Sequence, residues 1–67
     1  MKQGDKVEII GGNFEDKDWL GYIGEVKSIE ENTYKVNGKD TRMVYVKLFD
    51  RFHCFNDYHL KVVNIIT

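Results

Sequence analysis

The most regular feature of the chain is the alternation of apolar and polar residues in short runs. In "DKVEII", Val7 and Ile9 fall on one side, and Lys6, Glu8 and Ile10 on the other. Successive side chains of a strand point to opposite faces, so this run predicts a half-buried β-strand. "RMVYVKLF" repeats the pattern, with Val44, Val46 and Leu48 facing one way and Met43, Tyr45, Lys47 and Phe49 the other. "LKVVNII" is a last strand with Leu60 and Val62 on one side. Turn signals separate these runs. "GGN" breaks the first, "DR" at Asp50 and Arg51 turns the chain into "FHCF", and the Asn37-Gly38 pair predicts a tight hairpin, since both residues tolerate positive φ. "NDYH" offers capping side chains for a single helical or 3₁₀ turn. Helical periodicity is nowhere sustained. The expected fold is all-β, a small barrel of five to six antiparallel strands with one 3₁₀ turn before the last.

"LGYIGEVKSI", Leu20 to Ile29, places two glycines three apart inside a strand-like run. A long strand serving two nearly orthogonal sheets must bend. Gly24 would allow a bulge at the bend and a close backbone approach, while Gly21 sits where the preceding loop joins the strand. Ile23 and Val26 have opposite parity, so an extra residue between them is expected to bring both to one face. The expected core is Val7, Ile9, Ile23, Val26, Ile29, Val44, Val46, Leu48, Leu60 and Val62.

From Gly4 to Val63 the chain resembles the SH3-like small barrels. "GDKVEII" followed by "LGYIGEVKSI" is similar to the opening of the KOW-type and Tudor-like versions. "MVYVKLFDRFHCFNDYHLKVV" is similar to their closing strands, and the photosystem I accessory subunit has much the same layout. The KOW resemblance implies RNA or ribosome association. The Tudor resemblance implies an aromatic cage, with Trp19, Tyr22, Tyr45 and Phe49 as its walls. The trimethoprim-insensitive dihydrofolate reductases resemble the same barrels. Where their pore strand reads Val-Gln-Ile-Tyr, this chain reads "VYVKLF".

Composition narrows the function classes. Sixty-seven residues form one domain, 1–67, and at this size only about 60% of the unfolded surface is buried, so a single efficient core is required. One cysteine, Cys54, excludes an intrachain disulfide, and a reducing, cytoplasmic setting is expected. Met1 to Gly4 lacks the shape of a signal peptide, and no apolar run reaches the ~20 residues of a membrane span. Ten Lys plus Arg against eleven Asp plus Glu leave a net charge of −1, which supplies no bulk attraction to phosphate backbones.

"HCFNDYH" gathers His53, Cys54, Asp57 and His59. Adjacent strand residues face opposite ways, so His53 and Cys54 do not share a site on a regular strand. Cys54 with His59 is the remaining nucleophile and base pair, and no zinc-ligand spacing is present. A small buried thiol with two surface imidazoles is expected instead, with no catalytic residue, no metal and no cofactor. Aromatics point elsewhere. Phe14, Trp19 and Tyr22 flank the first long loop, and Phe52, Phe55 and Tyr58 surround the last turn; with Glu15, Asp16 and Asp18, the residues Phe14, Trp19, Tyr22, Phe55 and Tyr58 form an aromatic, acidic rim suited to a basic segment of a protein partner. The alternative is a nucleic-acid patch of Tyr34, Lys35, Lys39, Arg42, Tyr45 and Lys47 around the hairpin, and a small enzyme subunit stands third. The expectation is thus a non-catalytic binding module with no membrane association. A monomer is expected; pairing of copies through Val63, Ile65 and Ile66 of the last strand is the alternative.

Overall fold

The computed structural model describes residues 1–12 and 18–64. Seven strands run β1 (Lys6–Ile9), β2 (Ile23–Ile29), β3 (Tyr34–Val36), β4 (Lys39–Thr41), β5 (Met43–Leu48), β6 (Arg51–Asn56) and β7 (Leu60–Val62), with a 3₁₀ turn, Asp57–His59, before the last. Five of them form an antiparallel sheet in the order β6-β5-β2-β1-β7, and β3 and β4 form a separate two-stranded hairpin. The architecture is all-β, as the alternation predicts, and compatible with a small β-barrel-like domain. No helix of the described residues is long and apolar enough to cross a membrane.

β2 is the central strand, pairing with β1 on one side and β5 on the other. Its register with β5 shifts between Val26, opposite Val46, and Ser28, opposite Tyr45. Lys27 is the extra residue of a bulge, and it brings Val26 and Ile29, of opposite parity, to the same inner face. The parity argument therefore holds for a different pair from the one expected. Ile23 stays on the outer face and is 54% exposed. Gly24 has a separate task. A Cβ there would lie 2.5 Å from Val46 Cγ1, 2.7 Å from the Lys47 carbonyl oxygen and 2.9 Å from Leu48 Cδ2. Only a hydrogen fits between β2 and β5 at this point.

The core consists of Val7, Ile9, Trp19, Val26, Val44, Val46, Leu48, Phe55 and Leu60, with Tyr22 and Ile29 packed against it. Two expected members are outside it, Ile23 and Val62, the latter at the end of an edge strand and 42% exposed. Trp19 and Phe55 take their place, because a sheet this small needs large rings to cover its inner face.

The Asn37-Gly38 turn forms as predicted, with φ of 51° and 81°, and joins β3 to β4. Thr41, 1% exposed, donates its hydroxyl to Asp57 Oδ1 at 2.6 Å and ties this hairpin to the 3₁₀ turn. The turn after β5 is Phe49-Asp50 rather than Asp50-Arg51, since Leu48 pairs with Arg51. Asn56 precedes the 3₁₀ turn but makes no side-chain cap; its amide bonds the Tyr34 and Tyr58 hydroxyls instead.

Asp5, 6% exposed, clasps the ends of the described chain together. Its carboxylate accepts the Lys2 backbone N–H at 2.9 Å and the Asn64 side-chain amide at 3.2 Å. Asn64 in turn accepts the Lys6 N–H at 2.7 Å. The Asn64 amide, then the Lys2 N–H, hold the Asp5 carboxyl below its ordinary pKa. A depressed carboxylate contributes stability that is complete above its unfolded pKa of about 3.9 and is lost as pH falls through the lower folded value.

Two outcomes are expected. Gly24→Ala lowers the unfolding free energy by about 1–3 kcal/mol in urea titrations, because β5 must move away from the new methyl. Asp5→Asn flattens the acid limb of stability below about pH 4, measured by urea midpoints across pH, relative to the wild type.

Candidate functional site

Trp19 lies at the centre of an aromatic cluster at the Phe49-Asp50 turn. Its ring contacts Tyr22 at 5.1 Å, edge-on, Phe49 at 6.1 Å and His53 at 4.8 Å. Tyr22 meets Phe49 at 5.9 Å, again edge-on, and His53 meets Phe55 at 6.5 Å. These separations are those of favourable offset and T-shaped ring pairs.

Local backbone geometry explains how the cluster is held. Asp18 Oδ1 accepts the Leu20 N–H at 3.0 Å, the Tyr22 N–H donates to the Trp19 carbonyl at 3.0 Å, and the Gly21 N–H donates to the Ile9 carbonyl at 2.9 Å. Gly21 has φ of 84°, so the tight approach of loop to strand uses a conformation that side chains disfavour. The result lays Trp19 over the inner face of β6 at His53, which sits opposite Val46.

Phe49 is the unusual member. It has φ of 59°, in the left-handed region, although it carries a bulky side chain, and it is 72% exposed. A two-residue turn ordinarily places glycine, asparagine or aspartate in such a conformation. Left-handed geometry at a residue with a Cβ costs roughly 1–2 kcal/mol. Leu20 (51% exposed) and Ile23 (54%) add apolar surface from the neighbouring chain.

The expected rim therefore divides. Trp19 and Tyr22 join the cluster, with Asp18 exposed beside them. Phe55, 7% exposed, is a core residue and offers no rim surface. Tyr58 makes a tilted ring contact with His59 at 4.1 Å and none with Trp19. Phe14, Glu15 and Asp16 lie outside the described residues, as do Ile65 and Ile66. Phe49 was absent from the acidic rim expected from sequence but was among the four aromatics that the Tudor resemblance grouped; Trp19, Tyr22 and Phe49 come together, whereas Tyr45 lies on the outer face opposite Cys54. The signal at Phe49 was a phenylalanine between a strand and an Asp, where a glycine would be ordinary.

The basic patch is partly neutralised. Lys35 pairs with Asp40 at 3.0 Å, and the Tyr45 hydroxyl donates to Glu30 at 3.0 Å, which raises the phenol's pKa. Lys47 lies on the outer sheet face between Glu25 and Phe52, while Lys39 and Arg42 are exposed near the hairpin and Tyr34 bonds Asn56. A second ion-paired group, Lys6–Glu25–Lys27 with both contacts at 3.1 Å, occupies the outer face of β1 and β2.

The "HCFNDYH" residues are scattered by the fold. Cys54 is exposed on the outer face opposite Tyr45, correcting the expected buried thiol, because β6 is a sheet edge and its outer face is uncovered. His53 is half-buried under Trp19 rather than at the surface, and its Nε2 is buried without a hydrogen-bond partner among the described residues. His59 packs against Gly11 and Tyr58. Among the described residues, no three His, Cys, Asp or Glu side chains converge as metal ligands would. A cleft of about 220 Å³ lined by Met1, Ile29, Arg42, Val44 and Asp57 is smaller than the ~300–1,000 Å³ typical of small-molecule sites.

If the left-handed turn is strained, Phe49→Ala destabilises the protein more than Phe49→Gly does, by about 1 kcal/mol in urea titrations, although both lose the same ring. Comparison of the chain with protein-family models, curated proteins and solved structures finds no match.

Proposed function

We propose that the protein is a non-catalytic binding module, built as an SH3-like barrel, that engages a protein partner through the apolar rim at Phe49. The observation that carries this reading is the Phe49 turn. A conformation that favours glycine is occupied by a largely exposed phenyl ring, oriented by Trp19 and Tyr22. Folding alone gains little from exposing that ring, so the strain is better accounted for by a surface that meets something else. With Leu20, Ile23 and exposed Asp18 alongside, the rim combines apolar anchors with an acidic border, suited to an apolar segment flanked by Lys or Arg.

Trp19 acts beneath this surface. At 8% exposed it is the support of the rim and part of the core, so its truncation costs about 3–5 kcal/mol and removes the fold along with the site. Phe49 is the informative position. In a pull-down from a lysate of the source cell, with and without nuclease, a protein partner is expected to survive nuclease with wild type. It is expected to be lost with Phe49→Gly and retained with Lys39→Glu. Recovery of RNA that is lost with Lys39→Glu and indifferent to Phe49→Gly would sink the proposal in favour of the basic hairpin.

A further inference from the structure

The five-stranded sheet ends in β6 on one side and β7 on the other, and the two edges are protected very differently. β7 has three residues with Lys61 in the middle, a short, charged edge that resists strand addition. β6 has six residues, RFHCFN, without proline, glycine, lysine or an acid. Among the described residues it pairs with β5 alone.

The direction of its backbone groups follows from the ladder. The Asp57 N–H donates to the Arg42 carbonyl at 3.0 Å, and hydrogen-bonded positions alternate along an antiparallel pair. Arg51, His53 and Phe55 therefore turn their N–H and C=O toward β5, as Asp57 does its N–H alone, its carbonyl accepting the Leu60 N–H within the 3₁₀ turn. Phe52, Cys54 and Asn56 turn theirs to the open edge. On the outer face of the same strand, Phe52 is 65% exposed and Cys54 is exposed.

We propose that this edge pairs with the same edge of a second copy, antiparallel, with Cys54 on the two-fold axis. Residues opposite one another must share a face, so paired positions must both be odd or both be even. Centring on Cys54 sets Phe52 against the partner's Asn56, Cys54 against the partner's Cys54, and Asn56 against the partner's Phe52. All the outward-turned residues of both edges are then matched. Centring on His53 or Phe55 leaves one of them over on each strand.

Charge selects the same register. Arg51 belongs to none of the ion pairs among the described residues, and centring on Cys54 brings it, once at each end of the junction, to the partner's Asp57, the first residue of the 3₁₀ turn, whose carboxylate already accepts the Thr41 hydroxyl through one oxygen. On the inner face His53 meets the partner's Phe55, extending the row of rings from Trp19 through His53 to Phe55. Two Phe49 rims would then project from one continuous sheet, and a partner with repeated segments would gain affinity by engaging both.

The test is sedimentation velocity on the full chain, in reductant, from about 1 μM to about 1 mM. The expected result is a monomer–dimer equilibrium that reductant does not dissolve, with a short bis-maleimide joining Cys54 to Cys54. Cys54→Lys, at an exposed position, sets two ammonium groups opposite one another and is expected to raise the dissociation constant about tenfold or more, with the urea midpoint at monomer concentrations unchanged. Arg51→Glu, which places like charge against the partner's Asp57, is expected to weaken the dimer independently, and it stands in if Cys54→Lys fails to fold. A chain monomeric throughout this range, or a dimer indifferent to both substitutions, overturns the proposal.

Discussion

The fold depends on how β2 lies against β5. β2 is the middle strand of the five-stranded sheet and pairs with both β1 and β5. At Gly24 the two strands come so close that a methyl group would overlap Val46, Leu48 and the Lys47 carbonyl. Three residues on, the Lys27 bulge lengthens β2 by one position against its partner. Close approach fixes the register at the first point, and the bulge resets it at the second. Together they turn Val26, Val44, Val46, Leu48 and Ile29 onto one face, which is most of what the core contains on these strands. Each of the larger fully buried aliphatic side chains contributes roughly 1.5–3 kcal/mol relative to exposure.

The aromatic cluster is what this arrangement leaves to be covered. The inner face of β6 carries His53 and Phe55, and Trp19, from the loop that precedes β2, lies over His53. Its position brings a polar atom into difficulty, because His53 Nε2 is buried beneath it without a partner among the described residues. An unsatisfied group of this kind costs about 1–3 kcal/mol. A phenyl ring at position 53 would stack without that cost, so the imidazole joins Phe49 as a second local departure from what stability favours. Both are in the same cluster. Departures of this type concentrate at functional surfaces.

The two faces of the sheet and its two edges also divide the charges. The outer face of β1 and β2 carries paired ions, Lys6 and Lys27 around Glu25, whose carboxyl is held below its ordinary pKa first by Lys27 and then by Lys6. These pairs are solvent-exposed and contribute little to stability, yet they keep that surface hydrated. β6 has no such dressing. Its outer face presents Phe52 and Cys54, and its backbone edge is open among the described residues.

Much of the fold was legible in the chain because alternation with period two is a direct consequence of strand geometry. Val7 with Ile9, and Val44 with Val46 and Leu48, could be assigned to one face from spacing alone, and Asn37-Gly38 marked its hairpin because few other pairs adopt two positive φ angles. The parity conflict in "IGEVKSI" also announced a bulge. What spacing could not decide was which pair it reconciles, since Ile23 and Ile29 are chemically alike and only pairing with Glu8 on one side and Val44 on the other sends the first outward and the second inward. The site was less legible still. Trp19 and Tyr22 could be singled out as aromatics near a loop, and the family resemblance alone set Phe49 beside them; His53 reaches them only when β5 and β6 fold back, and burial of Phe55 follows from that folding. Sequence determines the faces of each strand through local stereochemistry; tertiary structure decides which faces are covered, because burial is a property of neighbours brought together from distant parts of the chain.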